Sequence, residues 1–120
     1  MNDDIVKITL PLTRGDARKL KAGRKILLSG EYPLRDAGHK RLIESITNGK
    51  PDFDINEKAF YYCGPTPALN GEIIGSCGPT TSARMDDYTP ALIERGLTVM
   101  IGKGKRSAAV IKAMQKFGAV

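Results

Sequence analysis

Apolar residues in this chain fall into short runs separated by glycine, proline and polar clusters, and each run has a readable period. Ile5 to Leu10 alternates and is rich in β-branched residues, which predicts a strand stopped by Pro11. Thr13 to Leu20 predicts a short helix ending before Gly23, and Arg24 to Gly30 a second strand. Asp36 is placed to cap a helix over Ala37 to Thr47, with Leu42, Ile43 and Ile46 on one face and Asn48-Gly49 as the stop. Ala59 to Cys63 predicts a third strand, broken by Gly64-Pro65-Thr66-Pro67. Asn70-Gly71 is a turn signal ahead of an extended run, Glu72 to Ser76. Thr89-Pro90 predicts a helix with Thr89 as its cap and Pro90 as its first residue, ending at Gly96. Leu97 to Ile101 predicts a further strand. Ser107 is placed to cap a last helix over Ala108 to Phe117, with Val110, Ile111 and Met114 turned inward.

Strands mixed with helices at these spacings predict an α/β (α+β) domain, a small mixed sheet flanked by helices. There is no internal repeat, linker or low-complexity stretch. Length narrows this further, because 120 residues bury one modest core and no more. No apolar run reaches the roughly 18–20 residues that span a bilayer. The start, Met1-Asn2-Asp3-Asp4, has no apolar leader, and two cysteines (Cys63, Cys77) make no disulfide framework and no zinc spacing. The expected setting is therefore the reducing cytoplasm. The net charge of +6 suits an anionic small molecule or an acidic partner. Nucleic acid fits less well, since the basic residues are scattered and only four Tyr and three Phe are present to stack bases.

Three loops combine a basic residue with an oncoming helix. They are Arg35 before the Asp36 cap, Gly78-Pro79-Thr80-Thr81-Ser82-Ala83-Arg84, and Gly102-Lys103-Gly104-Lys105-Arg106-Ser107. Free N–H groups and the macrodipole favour anions at helix starts. Glycine permits close backbone approach, and arginine grips a carboxylate with two parallel bonds. Converging at one end of a sheet, the loops would form a cationic pocket for a small dicarboxylate or a phosphate. Gly102-Lys103-Gly104 lacks the full phosphate-loop pattern, so the residues taken alone describe an anion-binding α/β domain.

Longer motifs say more. Tyr61-Tyr62-Cys63-Gly64-Pro65-Thr66-Pro67-Ala68 followed by the run from Gly71 to Asp86 resembles the C-terminal region of class I, iron–sulfur-type fumarate hydratases. It resembles equally the β subunit of two-subunit fumarate hydratases and L-tartrate dehydratases. Arg35-Asp36-Ala37-Gly38-His39-Lys40 and Ile101-Gly102-Lys103-Gly104 match two further motifs of that family, in order along the chain. The resemblance implies a swivelling β/β/α-type domain over residues 1–120, lacking the family's usual further C-terminal strand segment. It implies a hydro-lyase adding water to fumarate, active only with a partner. The [4Fe–4S] cluster is then bound by that α subunit and not by this chain, so no residue here is a metal ligand, and a hetero-oligomer (α2β2) is expected. Arg35, Arg84, Lys103 and Thr81 match positions that hold substrate. Thr80 matches a proposed catalytic base, and Asp86 and His39 lie within the motifs as further catalytic candidates. The alternatives are the β subunit of an L-tartrate dehydratase, or a non-catalytic anion-binding module.

Overall fold

The computed structural model describes residues 5–31, 34–35 (backbone only), 55–63, 67–73 and 75–120. The expected helix over Ala37 to Thr47, with its Asp36 cap, lies outside the described residues. The first unit is strand–helix–strand: β1 (Val6–Thr9), α1 (Arg14–Lys19) and β2 (Ile26–Ser29), with β1 and β2 parallel. Parallel strands need a crossover, and α1 supplies it. Thr13 caps α1 by accepting a bond from the Asp16 N–H at 3.1 Å.

The second sheet has the order β3 (Leu34–Arg35), β4 (Ala59–Tyr62), β5 (Val99–Ile101), again with parallel neighbours. Between β4 and β5 the chain passes through a 3-10 helix (Ser82–Met85) and α2 (Thr89–Glu94). α3 (Ala108–Phe117) follows β5, and Val120 then returns to the free edge of β5. There its N–H donates to the Thr98 carbonyl and its carbonyl accepts from the Met100 N–H, both at 2.9 Å. The expected α/β architecture is present as two small parallel sheets flanked by helices.

β4 is the middle strand and carries apolar residues on both faces, as a strand buried on both sides must. Phe60 and Tyr62 enter a core with Ile55, Met85, Leu92 and Leu97. Ala59, on the other face, joins Ile8, Leu12, Ala17 and Val99 between the two sheets. A cavity of about 380 Å³ remains there, lined by apolar side chains that include Leu28, Ile101 and Val120. A third cluster, Ile93 with Val110, Ala113 and Ala119, joins α2 to α3.

α1 also ties down both later helices. Arg14 Nη2 donates to the carbonyls of Ile93 (2.8 Å) and Glu94 (2.9 Å) at the end of α2. Arg18 donates to Gln115 O (3.2 Å) and Lys116 O (2.7 Å) at the end of α3. A guanidinium satisfies carbonyls that the helix leaves open and opposes the negative end of its dipole. Gly118 closes α3 in the left-handed region at φ 82°, and a side chain there would meet Arg18.

Three expectations need correction. Glu72 to Ser76 is not a strand at its described positions; Ile73 is fully exposed, so nothing rewards an extended pairing there. Thr89 is the first residue of α2 rather than its cap, because the preceding 3-10 helix runs almost directly into it. Tyr88 takes the cap position, and the Thr89 hydroxyl donates to the Met85 carbonyl at 2.6 Å. Ile111 is 46% exposed rather than inward, whereas Val110 is buried as expected, with Ala113 beside it. One residue of helical phase (about 100°) separates these choices. Among the described residues, no helix is long and apolar enough to cross a membrane.

Candidate functional site

Because β3, β4 and β5 are parallel, their C-terminal ends lie on one edge of the sheet, where open α/β sheets place ligands. Arg35 pairs with Tyr62 across β3 and β4, and Tyr61 pairs with Ile101 across β4 and β5. The chain leaves this edge after Cys63 and returns to it at Thr80. The Thr80 N–H donates to the Tyr62 carbonyl at 2.7 Å, and its hydroxyl donates to the same carbonyl at 3.1 Å. Thr81 then forms a parallel bridge with Lys103, and the Ser82 N–H donates to the Lys103 carbonyl at 2.8 Å. Two of the three sequence loops are thus joined by backbone hydrogen bonds.

That junction requires glycine at 102. A Cβ there would fall on Ser82 Oγ and lie 2.8 Å from the Tyr62 ring. The neighbours are a buried serine and a fully buried tyrosine, neither with room to retreat. Gly102→Ala is accordingly expected to cost about 1–3 kcal/mol through overpacking. Urea denaturation followed by circular dichroism measures this, and an unchanged midpoint would mean that the two loops are less tightly packed than described.

Below the junction sits a polar hub that sequence reasoning did not find. Arg106 Nε donates to Asp86 Oδ1 at 2.8 Å, with the two side chains only 14% and 11% exposed. Arg106 Nη2 also donates to Thr89 Oγ1 (3.1 Å) and to the Tyr62 hydroxyl (3.4 Å), and the guanidinium lies 5.2 Å from the Tyr62 ring centre. The other Asp86 oxygen accepts the Ser107 N–H at 2.7 Å. Ser107 in turn caps α3 by accepting from the Val110 N–H at 3.3 Å. The hub fastens the Gly102–Ser107 loop to the 3-10 helix and α2, which holds Lys103 where it is. Twenty residues separate Asp86 from Arg106, and no local spacing rule joins positions so far apart.

The expected site residues therefore divide as follows. Thr80, Thr81 and Lys103 come together at one sheet edge. The Arg35 backbone lies on the same edge. Arg84 follows directly in the 3-10 helix and is exposed, as is Lys103. Asp86 has both oxygens engaged by Arg106 and Ser107. His39 lies outside the described residues. Among the described residues, no group of three His, Cys, Asp or Glu is placed to hold a metal. The whole chain has two cysteines, whereas an iron–sulfur cluster with one open iron takes three thiolates. The residues present do not fit a cluster held by this chain alone.

A stretch of cations and hydroxyls at the carboxyl edge of a parallel sheet can bind an anion, and comparison with known proteins gives the family. The chain is 36% identical over 114 residues to the putative L(+)-tartrate dehydratase subunit beta of Methanocaldococcus jannaschii, covering 91% of this chain and 58% of that protein. It is 35% identical over 117 residues to the L(+)-tartrate dehydratase subunit beta of Escherichia coli, covering 94% and 57%. Against the aerobic class I fumarate hydratase of Escherichia coli, identity is 40% over 87 residues, covering 70% of this chain and 16% of that enzyme. The chain thus spans a little over half the length of the β subunits it matches. The family profile described as Fumarase C-terminus matches residues 1–120, and the chain belongs to that family.

Proposed function

We propose that this chain acts as the β subunit of a cytoplasmic hydro-lyase that adds water reversibly to fumarate, giving L-malate. It contributes carboxylate-binding groups to a site completed by an α subunit. The observation that carries this reading is the Thr81–Lys103 bridge, which sets the hydroxyl loop and the Gly-Lys-Gly loop side by side at the edge where Arg35 ends β3. A trans-dicarboxylate has charge at both ends. Arg35, Arg84 and Lys103 would hold one end, with Thr81 adding a hydroxyl or amide contact. In the assembled enzyme the [4Fe–4S] cluster would be held by the partner.

Removing a proton next to a carboxylate pushes negative charge onto that carboxylate. Fixed arginine and lysine donors stabilise this charge more in the transition state than in the ground state. Thr80 directs its hydroxyl proton at a backbone carbonyl, which leaves the oxygen's lone pairs able to accept. A carbonyl is too weak a base to take that proton, so Thr80 serves as an oriented acceptor for the substrate hydroxyl. Asp86 acts through the loop that it anchors. His39 stays a catalytic candidate on its motif alone.

Two of the relatives above bear the name L(+)-tartrate dehydratase subunit beta, which favours tartrate as a second substrate reading. The chemistry is the same with one more hydroxyl to accommodate. Anaerobic co-expression with the α subunit, followed by assays on fumarate, L-malate and L-tartrate, separates the two. The isolated chain is expected to show no hydratase activity and the complex to show it. Turnover by the chain alone would sink the shared-site reading, and an inactive, cluster-loaded complex would favour the anion-binding module.

A further inference from the structure

Cys63 leaves β4 directly after Tyr62, and Cys77 stands three residues before Thr80. Their sulfurs approach to 2.9 Å, across 14 residues of chain. Neither flank is loosely held. The Tyr61 hydroxyl donates to the Cys77 carbonyl at 2.6 Å, and the Tyr62 carbonyl takes both Thr80 bonds. Neither cysteine is in a disulfide, and Cys63 is buried and Cys77 half-buried. A disulfide bond is about 2.05 Å long, so the pair stands within about 1 Å of bonding distance.

We propose that Cys63 and Cys77 form a reversible thiol–disulfide pair, a modification site at the mouth of the candidate pocket with hydrogen peroxide as the class of oxidant. The more accessible Cys77 is attacked first. Its thiolate takes one peroxide oxygen, the O–O bond breaks, and the departing hydroxide gains a proton to become water. Cys77 is then a sulfenic acid. Cys63 sulfur attacks Cys77 Sγ, the S–S bond forms, the S–O bond breaks, and the second hydroxide leaves as water. In total, two thiols and one peroxide give one disulfide and two waters. A dithiol reverses this by exchange, as a transient disulfide in a reducing compartment requires.

The bond closes residues 63–77 into a covalent ring and ties the exit of β4 to the segment entering Thr80. The oxidation state of the pair thereby sets the freedom of the hydroxyl loop. This inference does not depend on the hydro-lyase reading, and its test uses no activity assay. The reduced chain is exposed to hydrogen peroxide, alkylated and weighed intact, then cleaved after glutamate. Glu72 is the glutamate between the two cysteines, so the fragments are Lys58–Glu72 and Ile73–Glu94. The expected result is a monomer lighter by two hydrogens, closed to alkylation, with these fragments linked until dithiothreitol releases them. Cys63→Ser should instead stop at a Cys77 sulfenic acid trapped by dimedone. The proposal is overturned by separate oxidation of the two sulfurs to sulfinic acids, or by linkage found only between chains on a non-reducing gel.

Discussion

Asp86→Ala is expected to destabilise this domain by about 3–5 kcal/mol, the usual cost of leaving one member of a buried ion pair alone. Arg106 would lose its carboxylate while remaining largely covered, and the Ser107 N–H at the start of α3 would lose its acceptor. Domains of this size are held by roughly 5–15 kcal/mol, so a large share of the total is at stake. The measurement is the urea midpoint at constant slope, since an altered slope would report a changed denatured state instead. A double-mutant cycle with Arg106→Met separates pairing from general damage. The double variant should be less destabilised than the sum of the two singles, because it removes the stranded charge along with its partner. A cost below about 0.5 kcal/mol for Asp86→Ala, the range of ordinary surface substitutions, would mean that the hub does not hold the loop.

If the proposed hydro-lyase reading holds, Arg84→Ala is expected to lower kcat/KM of the complex well over tenfold, from the loss of about 2–4 kcal/mol of transition-state stabilisation. Arg84 is exposed on this chain and makes no salt bridge among the described residues, so its removal should leave stability nearly unchanged. That contrast with Asp86 is informative. One substitution should act on the fold and the other on the chemistry. Arg84→Lys should recover part of the loss, because an ammonium keeps the charge but not the two parallel bonds that a guanidinium makes to a carboxylate. If Arg84→Ala turned over substrate as well as the parent enzyme, the dicarboxylate would have to be held by other cations, and the pocket would lie away from the 3-10 helix.

The gap between what the chain's pattern announced and what the fold added follows the range of the forces involved. Strands β1, β2, β4 and β5 and helices α1, α2 and α3 were each legible within a residue or two. Alternation, caps such as Ser107, and stops such as Gly96 act over fewer than five residues. Helical phase was less secure. Val110 was correctly expected inside, but Ile111 was expected there too, and the packing of α2 against α3 buries Ala113 in its place. The extended run at Glu72 to Ser76 failed for a related reason, since extended backbone becomes a strand only when a partner edge is there to pair with it.

The amino-acid sequence alone determined the family, through four motifs in register, and with it the cationic and hydroxyl residues proposed for the half-site. It also determined that this chain, with two cysteines, carries too few thiolates for a cluster of its own. Only the tertiary structure decided which residues meet. Thr81 bridges Lys103, Asp86 turns to Arg106 rather than standing free, and the Cys63 and Cys77 sulfurs come within 2.9 Å. Each of these contacts joins positions 14 to 22 residues apart, brought together beyond the parallel strands β4 and β5. Parallel pairing places the ends of strands side by side only after a crossover has closed, and no local propensity encodes where that crossover will land.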